Sequence, residues 1–376
     1  MKIIHFSDTH LGFNDLEMVN EAGINQREAD FYDAFTQVID AILDEKPDYV
    51  IHTGDLFHRP HPSNRAISFC LHQLKRLSRA KIPMVIIAGN HSTPRTKTTS
   101  PILSALQTID GIYPVFQEAY EKVIFEDVVF HCIPHIHDED ANLSAIEVCE
   151  TSLEVGKRNI LLLHCSVGAH YLMEEYGERV YPKEKEGLFA QMDYVALGHW
   201  HGFGRVGKHP NVYYAGSTER TSSSDVCNEK GYAVVTLYES LNVAFRPIRL
   251  RPAYRLEVDV QSTIDIFSQL KQFAEANQTD GALIYVTLKN LSATQSIDIS
   301  NADIEASFPE ALSVQVQRTF RQSEGMKESI SVSATSLQDY FEAFLEEQSS
   351  DTKEFERLKQ KVSALFAKYD EVHDDA

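Results

Sequence analysis

Five short apolar runs in this chain each empty into side chains of the kind that bind metal ions. They are Ile3-Ile-His-Phe-Ser-Asp8-Thr-His10, Tyr49-Val-Ile-His-Thr-Gly-Asp55, Met84-Val-Ile-Ile-Ala-Gly-Asn90-His91, Ile160-Leu-Leu-Leu-His164 and Val195-Ala-Leu-Gly-His199-Trp-His201. Runs this short, mostly apolar and often closed by glycine, read as buried strands. Between them lie amphipathic stretches. From Arg27 to Glu45 the residues Phe31, Phe35, Val38, Ile39 and Ile42 recur at helical spacing until Pro47 stops the pattern, and Ser63 opens a second helix with Ile67, Cys70, Leu71, Leu74 and Leu77 on one face. Strand alternating with helix predicts right-handed β-α-β crossovers and a largely parallel sheet. In such sheets ligands bind beyond the carboxyl ends of the strands, which is where all five polar clusters fall.

The rest of the first 250 residues is consistent with more sheet. A short helix is expected near Ser100 to Thr108, a hairpin from Val123 to Phe125 and Val128 to Ile133 about Glu126-Asp127, and a helix from Glu139 to Glu154. Tyr194 to Pro247 reads mostly as strands, with turns at Gly207-Lys-His-Pro210 and Asn228-Glu-Lys-Gly231. That stretch predicts a second sheet, and so a four-layered α/β/β/α sandwich over residues 1–250. Arg251-Pro252 reads as a boundary. Residues 251–321 carry a strand from Tyr254, a helix with Ile264, Ile266, Leu270 and Phe273, and strands Leu283 to Leu288 and Val314 to Phe320, which predicts a small α+β domain. Residues 322–376 begin with a polar linker, Gln322 to Glu328. Two amphipathic helices follow, one capped by Ser336 with Leu337, Tyr340, Phe341, Phe344 and Leu345, the other showing Phe355, Leu358, Val362, Leu365 and Phe366.

Composition excludes some classes. No apolar run approaches the roughly 18 residues a membrane helix needs, and Met1-Lys-Ile-Ile-His enters a strand without a signal-peptide core, so a cytoplasmic protein is expected. The five cysteines are odd in number and show no CxxC pairing, which points to reduced thiols. A net charge of −20 is unusual for a nucleic-acid protein, because phosphate binding leaves a basic footprint. Divalent metals offset it by supplying local positive charge, and part of the acidity lies in the tail.

The clusters offer two aspartates, one asparagine and several imidazoles. Mixed oxygen and nitrogen donors suit manganese, iron, zinc or magnesium, and no thiolate is placed to favour a soft metal. In an Asp-x-His or His-x-His pair leaving a strand, alternate side chains share one side. Asp55, alone at its strand end, is the carboxylate expected to bridge two cations. Two metals about 3.5–4 Å apart can polarise a phosphoryl oxygen, acidify a water and stabilise the attacking and leaving oxygens of an in-line displacement.

The ordered set Asp8-x-His10, Gly54-Asp55, Gly89-Asn90-His91, His164 and Gly198-His199-x-His201 resembles the calcineurin-like metallophosphoesterase superfamily over roughly the first 250 residues. Ser7-Asp-Thr-His-Leu-Gly12, Gly54-Asp-Leu-Phe-His58 and Tyr214-Ala-Gly-Ser-Thr-Glu-Arg220 further resemble the SbcD-type DNA double-strand-break repair nucleases. The resemblance implies a manganese-dependent 3′-to-5′ exonuclease and single-strand endonuclease acting with an SMC-like (SbcC-type) ATPase. It also implies a capping domain at Tyr254 to Phe320 and C-terminal helices, Ser336 to Tyr369, that grip the ATPase coiled coil. By position, Asp8, His10, Asp55 and His201 would hold one metal, and Asp55, Asn90, His164 and His199 the other. His91 would donate a proton or stabilise the transition state, and His58 would act on the phosphate or position the nucleic acid. Ser92 departs from the family, which commonly places an acidic residue after the Gly-Asn-His motif.

Other candidates have plainer readings. His5, His72, His131 and His170 are expected to be satisfied polar residues, and His135 and His137 loop histidines. Arg59, Arg65, Arg95, Lys97, Arg205 and Arg220 flank the site motifs and offer a phosphate-facing rim, or simply a solvated surface. The stripe Ile67, Cys70, Leu71, Leu74 and Leu77 reads as core, while the resemblance also allows a homodimer seam there. Two further functions share the same residues: a small-substrate phosphodiesterase, and a non-catalytic binding subunit.

Overall fold

The computed structural model describes residues 1–321, apart from 17, 95–98, 169–178, 262–264, 292–294 and 296–298. Side chains alternate across a strand, and the first strands use that alternation to face two cores at once. In β1 (Lys2–Phe6), β2 (Tyr49–His52) and β3 (Met84–Ile87), the residues Ile4, Phe6, Val50, Met84 and Ile86 point to one side, and Ile3, Ile51, Val85 and Ile87 to the other. The first set packs against α1 (Gln26–Glu45) and α2 (Asn64–Arg79) through Phe35, Val38, Ile39, Ile42, Cys70, Leu74 and Leu77. Each such buried side chain contributes on the order of 1.5–3 kcal/mol of transfer free energy.

The stop at Pro47 and the cap at Ser63 are those read in the sequence, whereas the α1 cap is not. Asn25 caps α1 by accepting from the N–H groups of Arg27 and Glu28, and the helix ends at Lys46 in the left-handed conformation, just before Pro47. Ser63 caps α2 by accepting from Ala66 N–H. The stripe on α2 divides. Cys70, Leu74 and Leu77 are fully buried, while Ile67 and Leu71 are only half-buried.

The first sheet runs β12-β11-β1-β2-β3-β4, adding β4 (Ile112–Val115), β11 (Gly231–Leu237) and β12 (Leu241–Pro247). From β1 to β4 its strands are parallel, and β11 is antiparallel to β1. The second runs β5-β6-β7-β8-β10-β9, made of β5 (Glu121–Ile124), β6 (Val128–Ile133), β7 (Arg158–His164), β8 (Tyr194–Gly198), β9 (Gly204–Arg205) and β10 (Val212–Tyr214). Val128, Phe130, Ile160, Leu162, Tyr194 and Ala196 face the first sheet in a shared core. Leu161, Leu163, Val195 and Leu197 face α3 (Glu139–Glu150) and the 3₁₀ turn at Lys183–Gln191. This is the four-layered α/β/β/α sandwich.

Three expectations are corrected. The second sheet begins at the 121–133 hairpin, not at Tyr194, and β11 and β12 return to the edge of the first sheet beside β1. Alternation marks a strand but is silent about its neighbour. The helix from Glu139 ends at Glu150, with Thr151 as its cap, so the run to Glu154 is shorter than periodicity predicts. The turn near Ser100 to Thr108 is a 3₁₀ segment, Ile102–Thr108.

After Arg251 the chain forms β13 (Ala253–Asp259), α4 (Ile266–Ala276), β14 (Leu283–Leu291), α5 (Asn301–Glu305) and β15 (Ser313–Phe320). The three strands are parallel, and Leu256, Val258, Leu270, Ile284, Val286, Ile304 and Phe308 make a core of their own. Arg251 ties this region to α1 by donating from Nε and Nη2 to the two oxygens of Asp30, at 2.8 and 2.7 Å. The amphipathic runs from Ser336 and Phe355, as well as His170, Arg95 and Lys97, lie outside the described residues.

Candidate metal centre

Parallel strands deliver their carboxyl ends to one edge of each sheet, and the two edges meet. Asp8 follows β1, Asp55 follows β2, Asn90 follows β3, His164 ends β7 and His199 follows β8. Close approach of five strand ends requires residues without side chains between them. A Cβ added to Gly54 would lie 2.1 Å from the His164 ring, one on Gly89 2.2 Å from Asp55 Oδ1, and one on Gly198 2.1 Å from Thr53 O. The glycine preceding Asp55, Asn90 and His199 is thus a steric requirement of the cage.

The backbone here is also strained. Asp8, His10, Asp55 and His199 have φ of 50, 40, 53 and 92°, a region non-glycine residues rarely occupy. Hydrogen bonds hold them there: Asp8 N–H donates to Gly54 O at 3.1 Å and His10 N–H to Asp55 O at 3.0 Å. His199 N–H is shared between both oxygens of Asp8, each at 3.1 Å.

The side chains converge in two groups. Asp8, His10 and His201 bring ligand atoms within 4.8 Å of one another, as do Asp8, Asp55 and His164. His10 Nε2 and His201 Nε2 face each other at 3.2 Å. His164 Nε2 lies 2.9 Å from Asn90 Oδ1 and 3.2 Å from Asp55 Oδ2. Asp8 is the carboxylate common to both groups, whereas Asp55, the residue expected to be shared, is grouped with His164. All of these but Asn90 and His201 are nearly fully buried.

Two of the imidazoles are oriented from behind. His164 Nδ1 donates to Thr53 O at 2.7 Å, which leaves Nε2 to face the cage. Nδ1 of His201 sits 3.2 Å from Asp225 Oδ2. His10 Nδ1 is buried without a hydrogen-bond partner. Two carboxylates, an amide oxygen and four imidazoles at one edge fit two divalent cations of the borderline-to-hard class.

Charge is coupled across the groups. Burial alone would push the His164 imidazole down, but the Asp55 carboxylate beside it overrides that and raises it to about 9. Burial opposes ionisation of Asp55, yet His164 holds its carboxyl well below the usual range. Beneath them His5 is fully buried, its ring nitrogens 2.9 Å from Tyr194 Oη and 3.0 Å from Thr53 Oγ1. Burial lowers it to about 3, so it is a neutral bridge between the sheets, the satisfied polar residue expected. His131 is also satisfied, by Tyr120 and Asn159, and His72 is exposed.

A second pair flanks the cage. His10, His58 and His91 form a third group with ligand atoms within 4.8 Å. The His58 and His91 rings stack with centroids 5.3 Å apart, and His91 Nδ1 donates to His58 O at 2.9 Å. That carbonyl orients the His91 ring without an acidic residue at position 92. Ser92 itself is fully buried. Burial, followed by the neighbouring His91, lowers His58 to about 4 and keeps it neutral. His135 and His137 pack edge to face at 4.9 Å and belong to none of the three groups, although His164 and Asp55 act on the buried His135 electrostatically.

The arginines are divided. Arg59 and Arg205 are exposed, Arg59 next to His58 and Arg205 on the edge strand β9. Arg65 pairs with Glu28. Arg220 Nη1 donates to Arg251 O at 3.1 Å, so it serves the junction with the region after residue 251.

Sequence reasoning passed over Thr221, Asp225 and Lys230. They lie between β10 and β11 without periodicity, and only their proximity to His201 in space marks them.

The calcineurin-like phosphoesterase family profile matches residues 1–203. The DNA double-strand break repair protein Mre11 of Thermoplasma acidophilum is 31% identical over 281 residues, which span 71% of this chain and 70% of that protein. Its namesake from Methanococcus maripaludis is 24% identical over 378 residues, 93% of this chain and 92% of its own. A solved dimetal phosphatase from Danio rerio covers 65% of this chain and 96% of its own at 12% identity and a TM-score of 0.43, too distant to add to these.

Proposed function

Since the chain belongs to the calcineurin-like phosphoesterase family, in the branch of the DNA double-strand-break repair nucleases, we propose that it cleaves DNA phosphodiester bonds at the cage of five strand ends. The observation that carries this reading is the meeting of donors from residues 8 to 201 with the His58–His91 pair at one edge of the sandwich. Two divalent ions, when bound there, would polarise the phosphoryl oxygen and supply a nucleophilic water at neutral pH.

The residues have separable tasks. Asp8, His10, Asp55 and His201 would hold one ion, and Asp55, Asn90, His164 and His199 the other. The carboxylates Asp8 and Asp55 are adjacent in space and would supply the negative charge to hold both ions. His91 has its Nδ1 proton committed to the His58 carbonyl, so Nε2 is the atom that meets the phosphate, as proton donor to the leaving oxygen or as a cation against its charge. His58, neutral and stacked on His91, fixes that ring and positions the substrate.

The finer reading adds manganese as the ion, with 3′-to-5′ exonuclease and single-strand endonuclease activity. Exposed Arg59 and Arg205 are the candidates to meet DNA phosphates, together with Arg95 and the junction residue Arg220. An SMC-like ATPase would be held through residues 336–376, a second copy through the half-buried side of α2, and the residues after 251 would cap the DNA. Among the described residues no helix is long and apolar enough to cross a membrane, which suits a cytoplasmic enzyme.

Digestion of a labelled single-stranded DNA with and without Mn²⁺ tests the reading against a small-substrate phosphodiesterase. Cleavage of a chromogenic diester but not of DNA overturns it. Deletion of residues 336–376 is expected to spare digestion and end co-purification with an SMC-like ATPase; retained binding refutes that assignment.

A further inference from the structure

The two cation groups differ in what stands behind their histidines. Behind His164 is a neutral backbone carbonyl, Thr53 O. Behind His201 is a carboxylate: Asp225 Oδ2 lies 3.2 Å from Nδ1, and Thr221 Oγ1 lies 3.2 Å from the same nitrogen while donating to Asp225 Oδ2 at 3.0 Å. The other oxygen of Asp225 accepts from Lys230 Nζ at 2.8 Å.

Lys230 is 2% exposed, and its ammonium has three protons to place. One goes to Asp225, one to His201 O and one to Ser217 Oγ, each at 2.8 Å. Every donor is used, and the three partners lie on three separate stretches of chain. Ser217 belongs to the Tyr214–Arg220 motif, whose sequence gave no chemical role for it. A buried ion pair of this kind is a weak source of stability, because desolvation offsets the Coulomb attraction. An apolar pair of similar volume would serve folding as well. What an apolar pair cannot do is present a negative oxygen to an imidazole N–H.

From this geometry we propose that Lys230 and Asp225 are positioning residues that set the affinity of the His201 cation site independently of the His164 site. Asp225 fixes the His201 tautomer with Nε2 toward the cage and raises its basicity as a donor. Lys230 anchors Asp225 behind the ring, so that the carboxylate supports the ligand and does not swing forward to compete for the ion. The pair is neutral overall, so it directs charge at His201 without adding to the −20 of the chain. The inference rests on the dinuclear reading above, and its test separates the two.

The experiment is a Mn²⁺ titration of the full chain, following free ion by EPR and heat by calorimetry, for the wild type, Asp225→Asn and Lys230→Met. The double variant Asp225→Asn/Lys230→Met, which removes both buried charges, guards against a folding defect. In the wild type two ions are expected. In each variant one ion should bind as before, and the other about 10- to 100-fold more weakly. Equal weakening of both sites, or unchanged affinities in all three variants, overturns the inference. A wild type that binds fewer than two ions overturns the dinuclear reading instead.

Discussion

The cage at the strand ends and the region after Arg251 are built on opposite terms. Of the seven non-glycine residues with positive φ among those described, Asp8, His10, Asp55 and His199 are at the cage, while Asn290 alone lies after Arg251. Such conformations cost on the order of 1–3 kcal/mol each and persist only where the surroundings enforce them. Buried charge follows the same division. At the cage Asp8 and Asp55 are within 2% of complete burial, whereas the ion pairs of β13 and β14, Arg255–Glu257 and Lys289–Glu257, are more than 40% exposed. One region spends stability on placing donors, and the other follows the ordinary rules of an apolar core.

The contrast can be broken most directly at Asp55. Asp55→Ala is expected to reduce metal-dependent cleavage about a thousandfold, equivalent to ~4 kcal/mol of transition-state stabilisation, in a protein that still folds. Some stability should be lost, because the pair with His164 is broken, but folding should survive because the apolar cores on the faces of the two sheets are untouched. Steady-state cleavage and a circular-dichroism melt read the two quantities separately. Full activity with an intact fold would mean that the strained, buried carboxylate is incidental.

The matching change after Arg251 is Leu270→Ala, since Leu270 is fully buried in the core around α4. A cost of about 2–5 kcal/mol in the stability of that region is expected, from lost transfer energy plus the cavity. Hydrolysis of a small chromogenic diester should be unchanged. If it falls in parallel with stability, the two regions are one cooperative structure and the comparison fails.

How much of this was legible in the sequence follows from the same division. The cage was readable because its donors sit at the ends of apolar runs, and for Asp55, Asn90 and His199 the steric need for Gly54, Gly89 and Gly198 leaves a further pattern in the chain. The Pro47 stop of α1 and the Ser63 cap of α2 were legible because they are local. Pairing was not: the alternation in β11 and β12 marks strands, yet nothing in it says that β11 lies beside β1. Thr221, Asp225 and Lys230 were missed because their role exists only through contact with His201.

Proton linkage sharpens the comparison further. His164 is raised from 6.5 to about 9, so its contribution to the metal-free fold is complete below 6.5 and lost as pH rises through 9. Asp55 is lowered, so its contribution is present above the ordinary carboxylate range and lost as pH falls. Between those limits the pair is ionised, and a cation that takes His164 Nε2 must displace its proton. Apparent Mn²⁺ affinity is therefore expected to rise about tenfold per pH unit on approaching pH 9, with about one proton released from this site. Calorimetry in buffers of different ionisation enthalpy counts that proton. A pH-independent affinity would mean that His164 is not a ligand.

The smallest effect is expected at Glu257, and it tests the other side of the contrast. Its carboxylate is held below the usual range by the hydrogen bond from Lys289, with Arg255 also close, so the formal linkage is a gain above the ordinary carboxylate value that is lost in acid. The three side chains stand in solvent, however, where water and salt screen the attraction and ordering long side chains offsets what remains. Glu257→Gln should leave the unfolding midpoint and the Mn²⁺ affinity where they are, at both neutral and mildly acid pH. A measurable shift in the midpoint would show that charge placement carries weight in this region too, and that exposure does not separate it from the cage.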